Sequence, residues 1–146
     1  MSMKSDSDAV TSDEWFLLKS EVDGNPQFVG VMPCLPSKDE RAAYPVRVTV
    51  TVAYEPNENG LPMYEDDLEA LNGIEEDLRS WDPEEAVFRN AIRFTGGGER
   101  RWVLYATSAK EFEDLLPEND FMVVATATDP DWSEVATVLS GIRSEA

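Results

Sequence analysis

From Val46 to Tyr54 the side chains alternate without a break, with Val46, Val48, Val50, Val52 and Tyr54 on one side and Arg47, Thr49, Thr51 and Ala53 on the other. A period of two marks an extended strand, because successive side chains leave a pleated backbone on opposite faces. One apolar and one more polar face require a sheet whose core lies on the valine side. The chain then passes through the turn-rich stretch Glu55 to Pro62, and the period changes. Tyr64, Leu68, Leu71, Ile74, Leu78 and Trp81 recur at three- and four-residue steps, which defines an amphipathic helix. Its other face carries Glu65, Asp66, Asp67, Glu69, Glu75, Glu76 and Asp77, with acids early, where the helix dipole favours them. Gly73 weakens this helix slightly.

The same two periods order the rest. Trp15 to Val22 and Gln27 to Leu35 read as strands of a hairpin around Asp23-Gly24-Asn25-Pro26. Pro33 and Pro36 end or bulge the second strand, and Ser37 to Ala43 reads as a polar loop. Ala86 to Thr95 and Arg100 to Thr107 form a second hairpin around Gly96-Gly97-Gly98, whose glycines suit the positive φ of a tight turn. Ser108 and Glu111 make a capping box for a short helix bearing Phe112, Leu115 and Leu116, which Pro117 stops. Phe121 to Thr128 is a strand, and Asp129-Pro130 opens a closing helix with Trp132, Val135, Ala136 and Leu139.

The fold class is therefore α+β: a ferredoxin-like β-α-β-β-α-β antiparallel sheet with an added N-terminal β-hairpin and a C-terminal helix. Both helices of the middle unit belong on one face, and the hairpin either extends the sheet or covers part of its other face. Residues 1–12 read as a disordered acidic tail and 13–146 as a single α+β domain.

Function is constrained mainly by what the composition lacks. There is no histidine and one cysteine, Cys34, and the formal net charge is -18 from 30 acidic and 12 basic residues. Triads built on histidine and the usual zinc sites are thereby closed, so no catalytic residue, cofactor or metal is assigned. Cys34 beside Pro33 reads as a buried or semi-buried thiol, and a lone cysteine fits a reducing cytoplasm. No apolar run reaches membrane-spanning length, and the charge repels phosphates, so neither membrane nor nucleic acid is an expected partner. A basic protein surface is. The glycine run lacks the Lys and Ser/Thr of a phosphate loop, and the acidic helix lacks a calcium-loop pattern. The Gly-aromatic spacing of an RNA-binding sheet is also missing. Trp81 and Trp132 fall in phase with apolar stripes and read as packing residues.

Two candidate surfaces remain. If Phe88, Ile92 and Phe94 face the helices, then Arg89 and Arg93 share the opposite face, joined by Arg101 and Tyr105, and could grip a carboxylate or phosphate. The acidic helical face, with Asp66, Glu69, Glu76 and Asp77, would instead suit a basic groove on a protein partner. The expected role is a non-enzymatic protein-interaction or regulatory domain, and the alternative is a small-molecule or anion-binding domain, or a weak enzyme. Oligomeric state is left open.

Certain dispersed residues resemble a known family. Trp15 opening a strand, Gly60-Leu61-Pro62 before the acidic helix, Gly98-x-Arg100-x-Trp102-x-x-Tyr105 in the hairpin and Asp129-Pro130-x-Trp132 before the last helix resemble the bacterial domain of unknown function 695 family. The likeness spans Trp15 to Leu139, with Trp102 where members often carry Phe or Tyr. The half from the second hairpin to the last helix is also similar to the regulator of ribonuclease activity B, a small acidic inhibitor of an endoribonuclease. These resemblances imply a cytoplasmic regulatory protein with a ferredoxin-like α+β fold and no known cofactor, and they carry over no catalytic residue.

Overall fold

A computed structural model describes residues 15–22, 24–82, 84, 86–116 and 122–145. Its elements run β1 (Phe16–Val22), β2 (Asn25–Val31), α1 (Lys38–Ala43), β3 (Val46–Ala53), α2 (Glu65–Ser80), β4 (Phe88–Gly96), β5 (Glu99–Ala106), α3 (Ala109–Leu115), β6 (Met122–Thr128) and α4 (Ser133–Glu145). The architecture is α+β, with one six-stranded antiparallel sheet in the order β1-β2-β4-β5-β3-β6. Of the two positions open to the N-terminal hairpin, it takes the first: β2 pairs with β4 and lengthens the sheet. The expected tail at 1–12, together with Asp23, Pro117 and Phe121, lies outside the described residues.

The valine face of β3 is buried as its alternation requires. Val48, Val50 and Val52 pack with Leu71, Ile74 and Leu78 of α2 and with Phe112 of α3, so both helices cover one face. Phe112 meets the Phe88 ring edge-on, with centroids 5.2 Å apart. Ser108 accepts the Glu111 N–H at 3.1 Å, which is the N-cap half of the capping box read in the sequence. The Glu111 carboxylate accepts from the Ser108 and Thr107 hydroxyls at 3.2 and 2.7 Å and not from the Ser108 N–H.

The other face is covered too. Trp132, Val135 and Leu139 pack on Val31, Ile92, Val103 and Tyr105, so β5 is buried from both sides. Trp132 is the one non-glycine residue with positive φ (56°) among those described. A left-handed conformation costs a side-chain-bearing residue about 1–2 kcal/mol. Its ring offsets that cost by stacking on Tyr105 at 4.2 Å and donating its N–H to the Tyr44 carbonyl at 3.0 Å. The turn lets Asp129 reach past Pro130 and accept from the Ser133 N–H and hydroxyl at 3.0 and 2.9 Å. Consequently α4 begins at Ser133, not at Pro130 as the cap-then-proline order implies.

Two further expectations are corrected. Ser37 to Ala43 is not a loop: Ser37 accepts the Glu40 N–H at 3.2 Å and caps the short helix α1. Cys34 is exposed, because β2 stops at Val31 and the cysteine rides on the proline-flanked turn beyond it.

The alternation of β4 also breaks. Asn90 pairs with Leu104 and Ile92 with Val103, which leaves Ala91 as an extra residue, a β-bulge. Phe88 therefore faces α2 and α3, whereas Ile92 and Phe94 face α4.

Two glycines separate backbone crowding from helix propensity. A Cβ at Gly96 would lie 2.6 Å from the Pro26 carbonyl oxygen and 3.1 Å from the Gln27 Cα, both main-chain atoms that cannot swing away. Gly73, mid-helix in α2, has nothing within 4 Å of the same position. Urea unfolding should show Gly96→Ala destabilised by about 2 kcal/mol, as overpacking is. Gly73→Ala should be stabilised by about 0.5–1 kcal/mol through helix propensity. Equal responses would contradict this packing.

Candidate functional site

Two helices side by side, each about 10 Å wide, cover roughly four strands spaced about 4.8 Å apart. A sheet of six strands is wider than that. On the face carrying α2 and α3, the β1–β2 hairpin therefore projects beyond the helical cover, and a cavity of about 410 Å³ opens there. Hydrocarbon from Leu17, Phe28 and Leu61 forms part of its wall, and Lys19, Arg93 and Arg100 bring positive charge to it. Such a concentration of cations is unexpected in a chain of net charge -18.

Each wall has a local cause. The loop after β3 is folded back by the Tyr54 hydroxyl, which donates to the Gly60 carbonyl. The Asn57 side chain accepts the N–H groups of Asn59 and Leu61 at 2.8 and 3.2 Å, and together these contacts place Leu61 at the cavity. Lys19 comes from the edge strand and sits 5.8 Å from the Phe28 ring centroid. Arg93 reaches this face because of the bulge: beyond Ala91 it stands opposite Trp102, which belongs to the α2 core.

Arg93 and Arg100 are compensated very differently. Arg93 Nη1 lies 2.9 Å from both Glu75 carboxylate oxygens, and Glu75 also accepts from Trp102 Nε1 at 3.0 Å and from Arg79 at 3.4 Å. Burial alone would raise the Glu75 pKa. The hydrogen bonds from Arg93 and Trp102, with the charges of Arg93 and Arg79, outweigh it and hold the carboxyl below its ordinary 4.5. Arg100 is only 8% exposed. Its Nε donates to Thr95 Oγ1 at 2.9 Å and its Nη1 to Asn72 Oδ1 at 3.4 Å, both neutral acceptors. Among the described residues no carboxylate lies within ion-pair distance of it. Burial first, and then the neighbouring Arg93 charge, push the Arg100 guanidinium below its ordinary value. The nearby Glu75 charge opposes this shift but is already engaged by Arg93, and a buried cation whose hydrogen-bond partners are neutral favours the arrival of an anion.

The residues singled out in the sequence are distributed otherwise. Arg93 is separated from Arg89, Arg101 and Tyr105 by the thickness of the sheet, since the bulge reverses its side. Arg89 lies 2.6 Å from Glu40 and 5.1 Å from the Tyr44 ring. Arg101 lies over the Phe94 ring at 4.4 Å. Tyr105 is fully buried beneath Trp132 and donates to Asp129 at 2.8 Å, and burial drives its phenol far above the ordinary range. These four do not converge on one ligand. Asp66, Glu69, Glu76 and Asp77 are all exposed on α2, whereas Glu75, read with that face, turns inward to Arg93. Lys19 and Arg100 at the cavity, and Glu75 behind Arg93, are not among the candidate residues that the sequence pattern singles out. The usable signal was the phase of Arg100, which alternates with Arg101 and shares its face with Trp102.

A family model described as "Family of unknown function (DUF695)" matches residues 13–136, a span that contains every cavity residue named above. No curated protein and no solved structure matches the chain, so the likeness to the regulator of ribonuclease activity B gains no support.

Because the folded pKa of Glu75 is depressed, its contribution is present above the ordinary value of 4.5 and is lost as pH falls through the folded value. Glu75→Gln should cost about 2 kcal/mol at pH 7, in line with hydrogen bonds to charged groups. The gap from wild type should close below pH 4.5 in urea titrations. A gap that persists at low pH would rule out the carboxylate as its origin.

Proposed function

The chain belongs to DUF695, a family of unknown function, and from its own geometry we propose that it is a binding domain for a small organic anion. The observation that carries this reading is the Arg100 guanidinium, buried at the cavity wall with Thr95 and Asn72 as its hydrogen-bond partners. A carboxylate or phosphate would sit against Arg100 with Lys19 nearby, and its hydrocarbon part would lie on Leu17, Phe28 and Leu61. A concave site lined by apolar groups with a few converging charges is the usual form of a small-ligand pocket. The reading is one of binding, since Glu75 already engages Arg93, Trp102 and Arg79 and is no free base. A ferredoxin-like assignment for the unit from β3 to β6 is supported by its strand order β4-β5-β3-β6. A cytoplasmic setting is supported by the single thiol, Cys34.

A second reading keeps the acidic face of α2 as a docking surface for a basic protein. What favours it is the neighbouring apolar surface at the start of the helix, where Met63, Tyr64 and Leu68 are 51%, 56% and 39% exposed beside Asp66 and Glu69.

The two readings part at Arg100. Short-chain carboxylates and alkyl phosphates, titrated calorimetrically, should bind wild type at one site per chain. The double variant Arg100→Met/Thr95→Val, which leaves no orphan hydroxyl, should lose at least about tenfold in affinity, the equivalent of one charge-assisted hydrogen bond. Without ligand the same variant should be more stable by about 1 kcal/mol, since replacing a buried charge by hydrocarbon is often stabilising. Equal affinity in both proteins, or no binding by wild type, would end the pocket reading and leave the acidic face.

A further inference from the structure

Residues directly opposite each other on neighbouring antiparallel strands project from the same face of a sheet. Lys19 stands opposite Phe28, Phe28 opposite Thr95 and Thr95 opposite Arg100, so these four side chains form one row across β1, β2, β4 and β5. At a strand spacing of about 4.8 Å, the stems of Lys19 and Arg100 start about 14 Å apart. Both lean inward: the Lys19 ammonium lies 5.8 Å from the Phe28 ring centroid, and Arg100 Nε donates to Thr95 Oγ1 at 2.9 Å. The two cationic tips thus approach each other over the middle of the row.

The charges at this row do not balance. Arg93, in the next row on the same face, is matched by Glu75 at 2.9 Å. Among the described residues neither Lys19 nor Arg100 has a carboxylate within ion-pair distance. No Asp or Glu lines the cavity. Its polar side chains are donors: the Lys19 ammonium, two guanidinium groups and the Thr95 hydroxyl, which accepts from Arg100 and keeps its own proton to give. Two unmatched positive charges and a donating wall call for a ligand end that only accepts hydrogen bonds and carries two negative charges.

Resting on the binding reading of this cavity, we infer that its ligand is a phosphate monoester with a small apolar body, the dianionic head held between Arg100 and Lys19. A carboxylate or a sulfate ester brings one negative charge and leaves Lys19 unmatched. An amino acid brings an ammonium group as well, for which the wall has no carboxylate.

Calorimetric titration of butyl phosphate and butyl sulfate at about pH 8 separates charge from shape. Both heads are tetrahedral, and only the phosphate, with a second pKa of about 6, is doubly ionised there. Wild type should bind the phosphate at least about tenfold more tightly, the equivalent of one charge-assisted hydrogen bond. Lys19→Met, at an exposed edge position, should abolish that preference by weakening the phosphate alone. Lys110→Met, on α3 and away from the cavity, makes the same change in net charge and should leave both affinities as they are. Equal affinities in wild type would overturn the inference and leave the binding reading standing. So would a preference that survives Lys19→Met or falls with Lys110→Met. If neither ester binds, the inference and the binding reading fail together.

Discussion

The extra residue Ala91 shifts the alternation of β4 by one position, and the two cores and the cavity all depend on that shift. Before it, Phe88 packs with Phe112 under the paired helices. After it, Ile92 and Phe94 serve the opposite core under α4. An unbulged strand could not do this. With a strict period of two, Ile92 and Phe94 would join Phe88, and the α4 face would lose two of its large side chains while Arg93 pointed into it. The bulge instead sends Arg93 to the α2 side, where Glu75 and Trp102 receive it.

The width of the sheet supplies the second condition. Helices α2 and α3 pack over the part of the sheet centred on β3 and β5, and the hairpin lengthens the sheet past them. The gap so created does not collapse, because its walls are set by backbone. Gly96 lies against the main chain of Pro26 and Gln27, which fixes β2 against the β4–β5 turn, and the Tyr54–Gly60 hydrogen bond holds the Leu61 loop. The cavity is thus a consequence of element sizes and of close main-chain contacts. Its chemistry comes from Arg93 and Arg100, two arginines that face the same side from adjacent strands, only one of which has a carboxylate partner among the described residues.

Much of the fold was legible in the sequence, for reasons that also explain what was not. The β3 valines and the α2 leucines keep one period across their whole length, so their faces follow from spacing alone. The Ser108 cap and the Gly97-Gly98 turn, with φ of 63° and 93°, are local chemistry that needs no tertiary information. The bulge leaves no such mark, since Asn90-Ala91-Ile92 reads as ordinary strand. Assigning Arg93 the same face as Arg89 follows directly from missing it. The place of α4 was likewise hidden, because an amphipathic helix reveals which of its faces is buried and not which face of the sheet receives it. Glu75 failed for a third reason: on a helix crowded with acids, nothing in the spacing separates the carboxylate that meets an arginine from those that meet water.

The excess of acid and the cationic cavity are compatible once distance is considered. At physiological ionic strength a surface charge is screened over about 8 Å, whereas charges shielded from solvent are screened much less. The exposed carboxylates of α2, such as Asp66 and Asp77, therefore act chiefly on what approaches from solution, and Arg100 acts on what has already entered. A long polyanion must keep most of its charge outside the cavity and meets the full repulsion of the surface. On the proposed binding reading, a compact anion with one charged group would bring that group to the buried guanidinium and leave only hydrocarbon near the rim, where Leu17 is 71% exposed. On that reading, the acidic exterior would act as a size filter for the cationic interior, opposing a polyanion more strongly than a compact carboxylate.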